Sequence, residues 1–293
     1  MNTAPSLRAG LLLGLGAYAS WGLLPLYLKL LKGVPALQVL SHRVIWSLLL
    51  LVAVVLALGR ARAIWAAASG RTLALLCASA ALIAVNWLVY IWSVQHAHVL
   101  EASLGYFINP LVNVALGVLV LRERISRVQG AAIAIAATGV AVLALSGGGA
   151  LWISVALALS FGLYGLVRKV AAIDALGGLT VETLLLAPAA LAVIGWAAAD
   201  GTGAWGHDVQ LNLLLVLAGG VTAVPLLMFA AAARRLRYAT MGLLQYLAPT
   251  LQFAQAVLLF GERLQPVHLV TFGLIWTGCA VYAADSWRRA RAA

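Results

Sequence analysis

The chain has 293 residues, of which 64% are hydrophobic and only 9% charged, with a mean hydropathy of +1.04 and a formal net charge of +11. Soluble domains carry roughly 25% charged residues, so the composition excludes a soluble globular protein and points to a polytopic membrane protein. The basic excess does not indicate nucleic acid, because the Lys and Arg residues fall in short clusters between apolar segments, where they report membrane orientation.

A membrane-spanning helix needs about 20 mostly apolar residues. Ten segments qualify: 8–30, 36–58, 72–95, 100–121, 127–146, 150–168, 179–199, 210–233, 238–260 and 266–286. The first is long enough to span and lacks a signal-peptidase pattern, so it is read as a retained helix. Connections are short and rich in Gly and Ser, as in SGGG (146–149) and DGTGAWGHD (200–208). With both termini in the cytoplasm, 15 of the 19 Lys and Arg residues fall inside, 3 (Lys29, Lys32, Arg263) fall outside, and Arg43 lies within a span. Cys77 and Cys279 each sit in an apolar segment without metal-ligand or CxxC spacing, and both are expected in the core. Neither a metal nor a cofactor is implied.

The two halves of the chain match. LGYFINPLVNVALGVLVLRERI (104–125) aligns without a gap on LLQYLAPTLQFAQAVLLFGERL (243–264) at an offset of 139, and Gly139 then pairs with Gly278. WGLLPLYLK (21–29) matches FGLYGLVRK (161–169) at an offset of 140. Each half, 1–146 and 150–293, holds five spans. Five is odd, so the second half enters the membrane inverted. Inverted repeats of this kind are a signature of secondary transporters, with the substrate site near the midplane between the repeats.

Polar residues within the spans mark the candidate site. Pro110 and Pro249 are repeat equivalents, each expected to kink its helix and to free a carbonyl, at Tyr106 and Gln245. Irregular backbone at that depth is tolerated where it packs in protein or lines a cavity. Asn86 and Tyr90 share one helix face, Tyr106, Asn109 and Asn113 form a second stripe, and Gln245, Gln252 and Gln255 partly mirror it. Trp21 and Tyr164 fall in the matched first helices of the two halves. Aromatic walls with a few oriented polar groups are what pockets for organic molecules require, so Trp21, Asn86, Tyr90, Tyr106, Asn109, Asn113, Tyr164, Gln245 and Gln252 are expected to form a substrate cavity; plain packing is the alternative for any one of them. Gly14, Gly117, Gly139 and Gly278 suggest close helix contacts.

Ionisable residues inside a span are costly and are functional candidates. His42, Arg43, Glu101 and Glu182 are the coupling or gating candidates. His42 and Glu182 are repeat equivalents placed by inversion near opposite faces, roughly 20 Å apart. Glu182 has no basic residue within one turn along the chain. Local explanations compete: Arg43 snorkelling outward, Glu182 near the aqueous boundary, and Glu101 favoured by its helix dipole. Glu123 and Glu262 end their helices beside Arg124 and Arg263 and are expected to pair with that Arg or a neighbouring loop.

WGLLPLYLK, SHRVIWS (41–47), NWLVYIW (86–92) and LEASLGYFINPLVN (100–113) together resemble the RarD branch of the EamA transporters, in the drug/metabolite transporter superfamily. The resemblance runs over essentially the whole chain. It implies an all-α fold of ten transmembrane helices in two inverted five-helix repeats around a central cavity, in a carrier of the bacterial inner membrane. Members are associated by name with chloramphenicol sensitivity, and relatives export amino acids and other metabolites. The resulting expectation is a secondary active transporter for a small organic solute, exporting and driven by the proton gradient. No Walker A motif is present, so ATP is not the direct energy source. A passive channel is the first rival. A membrane-embedded lipid enzyme is the second, without HExxH or GxSxG to support it. The expected partners are a small-molecule substrate and the lipid bilayer, with a homodimer left open.

Overall fold

The structure, a computed structural model, describes residues 7–120, 122, 126–146, 150–233, 235–236 and 244–292. Glu123, Arg124 and the first part of the span expected at 238–260 lie outside the described residues. Described elements are all helical: α1 (Leu7–Leu30), α2 (Ala36–Ala57), a short α3 (Ala61–Ala67), α4 (Gly70–Gln95), α5 (Val99–Leu119), α6 (Arg127–Leu145), α7 (Leu151–Val170), α8 (Ala175–Ala199), α9 (Val209–Ala233), α10 (Leu247–Ala254) and α11 (Pro266–Ala292). A π-helical turn, Gln255–Leu259, extends α10. Among the described residues, nine helices are long and apolar enough to cross a membrane, and Leu247–Leu259 is a shorter apolar tenth. Only α3 was not foreseen; it is a single amphipathic excursion in the Arg-rich connection between the second and third spans.

Helix ends follow from local chemistry. Ser126 and Gln129 form a reciprocal capping box at the start of α6, and the Ser126 hydroxyl also donates to Asp285 at 2.8 Å. Asp174 caps α8 by accepting from the Gly177 N–H at 2.8 Å. The start of α5 has no side-chain cap of its own. There the Glu262 carboxylate, arriving from the loop before α11, accepts from the Val99 and Leu100 N–H groups at 2.9 and 2.7 Å. Of the two partners expected for Glu262, its chain neighbour Arg263 or a neighbouring loop, the structure shows the second kind, where a connection opens into α5. Orphan N–H groups at a buried helix start require an acceptor, and the loop delivers one from the other half of the chain. Burial raises the Glu262 carboxyl above its ordinary range, against the opposing pull of the two amides.

Prolines inside α1, α8 and α9 (Pro25, Pro188 and Pro225) are accommodated without ending the helix. At Pro25 the repair is visible. Proline supplies no N–H to the carbonyl four residues back, that of Trp21, and Gln252 Nε2 donates to that carbonyl at 3.1 Å. Gln255 Nε2 donates to the next one, Gly22 O, at 2.7 Å. α5 runs unbroken through position 110. Pro249 falls in the first turn of α10, where a missing N–H breaks no intrahelical bond.

Packing pairs the helices across the halves. The principal neighbours are α6 with α11, α5 with α7, α2 with α8 and α9, α1 with α9 and α10, and α4 with α7. Close approach depends on glycine. A Cβ on Gly139 would meet Thr271 O at 3.0 Å and Ile275, and one on Gly278 would meet Ala132 O at 2.6 Å and Ala136. Thr271 and Ile275 are Ala132 and Ala136 displaced by 139 residues, so the α6–α11 contact is reciprocal. Likewise Gly22 abuts Leu251 on α10, and Gly162 abuts Val112 on α5, the same pair of positions in each half. Cys279 is buried, but Cys77 is exposed on the surface of α4, contrary to the core placement expected of it. An apolar span does not distinguish a lipid-facing position from a core one.

Glu262→Ala would leave two buried N–H donors of α5 unpaired. At about 1–3 kcal/mol per unsatisfied group, the expected loss of stability is about 2–6 kcal/mol, read as a lowered thermal unfolding midpoint of the purified protein in detergent.

Candidate functional site: a central cavity between the two halves

A cavity of about 530 Å³ lies at the centre of the bundle, within the size range of organic-ligand pockets. α1, α2, α4, α5, α7, α8, α9 and α10 all contribute to its wall. Of the nine residues expected to line it, eight do: Trp21, Asn86, Tyr90, Tyr106, Asn109, Tyr164, Gln245 and Gln252. Asn113 is exposed. α5 packs along α7, with Gly105 on Ser154 and Val112 on Gly162, and the Asn113 Oδ1 lies beside Gly165 rather than in the cavity wall.

The upper wall is a hydrogen-bonded unit. Asn86 Nδ2 donates to Leu157 O at 3.1 Å and to Ser160 Oγ at 3.0 Å, and Asn86 Oδ1 accepts from the Tyr106 hydroxyl at 3.1 Å. Tyr106 packs edge-on against Tyr90 and Phe161. On the other side Trp21 sits in an aromatic cluster with Tyr18 and Phe229. Arg43 also lines the cavity; instead of snorkelling out, its side chain is 5% exposed and turned inward.

The cavity lining continues to one end of the bundle through Arg168, Ile173, Ala175 and Leu176. This is the basic end, near Arg60. Glu182 lies there, fully buried. It accepts from Ser79 Oγ at 2.5 Å and from the Tyr164 hydroxyl at 3.3 Å, and pairs with Arg168 Nε at 3.6 Å. It is therefore enclosed in protein and has a basic partner; Arg168 comes from the end of α7, across the turn into α8. Arg168 also donates to Asp174 O at 3.0 Å, and its guanidinium lies directly on Gly178, where any Cβ would collide with it. Arg60 pairs with Asp174 at 2.6 Å. Burial opposes ionisation of Asp174, but the Gly177 N–H and the Arg60 guanidinium outweigh it and hold the carboxyl below its ordinary range.

The opposite end is closed. Trp205, from the 200–208 loop, sits 5.8 Å from the His42 ring and 5.4 Å from the Trp46 ring, centroid to centroid. Gln38 bridges to the same loop, donating to Thr202 O and accepting from the Ala204 N–H. Gln95 Nε2 donates to Leu31 O and Val34 O. Glu101 lies at this end with His98 Nδ1 at 3.4 Å. The structure thus separates the coupling candidates: His42 and Glu101 belong to the closed end and Glu182 to the basic end, and none of the three is part of the cavity wall, while Arg43 is. Sequence reasoning missed Arg168, Thr222, Trp87 and Trp205. The available signal for Arg168 was Glu182 itself, since a buried carboxylate with no partner along the chain needs one from another helix.

Residues 8–145 match the EamA-like transporter family. An uncharacterized transporter of Pseudomonas aeruginosa is 49% identical over 99% of this chain and 98% of that protein. RarD of Escherichia coli is 44% identical over 97% of this chain and 96% of its own length. The chain belongs to the EamA-like transporter family. These relatives place it in the RarD branch, within the drug/metabolite transporter superfamily. A further EamA-like relative of 34% identity, covering 96% of both chains, is the chloramphenicol-sensitive protein RarD of Pseudomonas aeruginosa. A solved crystal structure with 18% sequence identity shares the fold, with a TM-score of 0.63 over 94% of this chain and 98% of the other. This EamA-like protein is accordingly a multi-pass membrane transporter, and the names of its relatives point away from an enzyme.

Gly178→Ala is expected to push Arg168 off both Glu182 and Asp174 O and to cost roughly 1.5–3 kcal/mol, the range for hydrogen bonds to a charged group. In an Arg168→Ala background the same change should cost little, because the clash is gone. A double-mutant cycle on thermal stability reads the difference. For Asp174, the lowered folded value means that its contribution is complete above the unfolded carboxyl value near ~3.9 and is lost as pH falls through the folded one. Asp174→Asn should therefore flatten the acid limb of the unfolding midpoint below about pH 4.

Proposed function

We propose that this protein is a secondary carrier that moves a small organic solute across the bacterial inner membrane by alternating access. In this reading export is the net direction, the proton gradient is the driver, and both termini are cytoplasmic. The observation that carries it is the cavity, walled by helices of both halves, with its lining running to the basic end and its other end closed by Trp205, Gln38 and Gln95. Residues 1–146 and 150–293 act as two five-helix repeats, the second inverted. The reciprocal glycine contacts at Gly139 and Gly278, and at Gly22 and Gly162, support that pairing. Inverted repeats can exchange roles, so the closed end and the reaching end can interchange. Relatives named as transporters, one of them as chloramphenicol-sensitive, support a solute of drug or metabolite size. The 15-to-3 distribution of basic residues supports the orientation.

Two experiments test this. Metabolites released by cells expressing the protein, against cells lacking it, identify a solute; preloaded proteoliposomes should then take up its labelled form by counterflow. Uptake without acceleration by preloading would indicate a channel. A C-terminal alkaline phosphatase fusion should be inactive in a Gram-negative host, and high activity would reverse the orientation.

Coupling is assigned to Glu182. Protonation would remove its charge from Arg168 and loosen the α7–α8 contact at the basic end. Glu182→Gln is expected to abolish uphill transport while sparing exchange, which needs no net proton movement. Glu101→Gln and His42→Gln serve as comparisons. Full uphill transport in all three would exclude coupling through these side chains.

A further inference from the structure

Arg43 is a permanent cation with no anionic partner among the described residues. Its guanidinium lies 4.5 Å from the Trp87 ring centroid, and its Nε donates to Thr222 Oγ1 at 2.6 Å. Thr222 is itself fixed by donating to Ala218 O at 2.8 Å. Among the described carboxylates none forms an ion pair with Arg43: Glu182 is taken by Arg168, Asp174 by Arg60 and Glu101 by His98. Arginine does not shed its proton at working pH, so burial does not neutralise it. A buried unpaired charge costs several kcal/mol on the general scale, and ionisable groups at membrane depth call for a partner.

The unmet capacity belongs to residues of the cavity wall. Arg43 Nη1 is buried and donates to nothing, and the buried hydroxyl of Tyr90 is likewise without a partner. Both residues line the cavity. Two unused donors on a cationic wall, with Trp21, Trp87 and Phe161 supplying apolar surface around them, describe a receptor for a molecule that is anionic at one end and apolar at the other. Building on the carrier reading of this cavity, we propose that its substrate is an organic anion. A carboxylate or similar oxyanion accepts from Arg43 Nη1 and the Tyr90 hydroxyl, and an aromatic or aliphatic body lies against the ring surfaces. Thr222 and Trp87 hold the guanidinium in place at the cavity wall. The bound anion neutralises Arg43, so the loaded site carries no net charge there, and the same cation repels organic cations.

Binding to the purified full-length protein in detergent tests this directly. The probes are benzoate, phenylacetate, 3-phenylpropionate and indole-3-acetate, each beside its neutral amide, with phenethylammonium as the cation; the readouts are tryptophan fluorescence and thermal shift. At least one acid is expected to bind and its amide to bind at least about 30-fold more weakly, which is the lower end of the loss on removing one partner of a buried charged pair. Arg43→Gln should reduce acid binding to the amide's level, and Arg43→Lys, which keeps the charge without the planar fork, should retain part of it. The proposal is overturned if no acid binds, if amides or the cation bind as well as acids, or if Arg43→Gln binds the acids undiminished. The acid and amide comparison is made on the unaltered protein, so its outcome does not depend on a variant folding. Anion binding without counterflow would overturn the carrier reading and leave this site standing. Counterflow with no preference for anions would overturn the site and leave the carrier.

Discussion

The hydrocarbon core of a bilayer offers no water, so every polar group within the bundle must find its partner in the protein. Much of the architecture follows from that constraint. Pro25 strips the Trp21 carbonyl of its helical partner, and Gln252 reaches across from α10 to replace it. The end of α1 gives up its Leu31 and Val34 carbonyls to Gln95. The start of α5 receives the Glu262 carboxylate from the far half of the chain. Each repair is also a tether between helices distant in sequence, so satisfying the backbone and assembling the bundle are the same event. Without a hydrophobic drive between helices in lipid, such tethers and close packing are what remain to hold them. The glycines supply the packing: Gly219 lets α9 approach the Trp46 carbonyl of α2 to a distance that leaves no space for a Cβ.

The same constraint gives meaning to the groups it leaves unsatisfied. Arg43 Nη1, the Tyr90 hydroxyl, Asn109 Oδ1 and Gln252 Oε1 are buried without partners, and all four residues line the central cavity. A polar wall of this kind is unstable as packing and useful as a receptor. The ends of the cavity differ in kind. One is shut by aromatic stacking and side-chain-to-backbone bonds around Trp205. The other is governed by a charged knot of Arg168, Glu182, Ser79 and Tyr164 together with Arg60 and Asp174.

Much of the fold was legible in the sequence because membrane helices announce themselves by length and apolarity, and nine of the ten expected segments appear as long helices, with the tenth described from Leu247. The cavity was legible where polar residues recur at helical spacing in apolar runs: Asn86 with Tyr90, and Tyr106 with Asn109, converge because a lone amide or phenol in lipid has few other places to go. Asn113 keeps that spacing but is exposed, with its Oδ1 beside Gly165 of α7, and which face of α5 meets α7 is a tertiary fact that periodicity does not carry. The Arg168–Glu182 pair was hidden because its members lie on different helices. Arg168 also had a sufficient explanation as an orientation signal. Glu262 was hidden for the complementary reason: its neighbour Arg263 offered a local partner, whereas the buried amides of α5 were the more demanding one. Cys77 shows the remaining blind spot, since lipid and core favour the same residues.

The central claim is that the closed end must open for solute to pass. Gln38 and Ala204 meet there, across α2 and the 200–208 loop. Cysteines at these two positions, in a background with Cys77 and Cys279 replaced, can be joined by a short reducible bis-methanethiosulfonate bridge and the protein assayed for solute exchange in proteoliposomes. Alternating access requires that bridging abolish exchange and that reduction restore it. Undiminished exchange with the bridge in place would contradict it and place the solute path elsewhere.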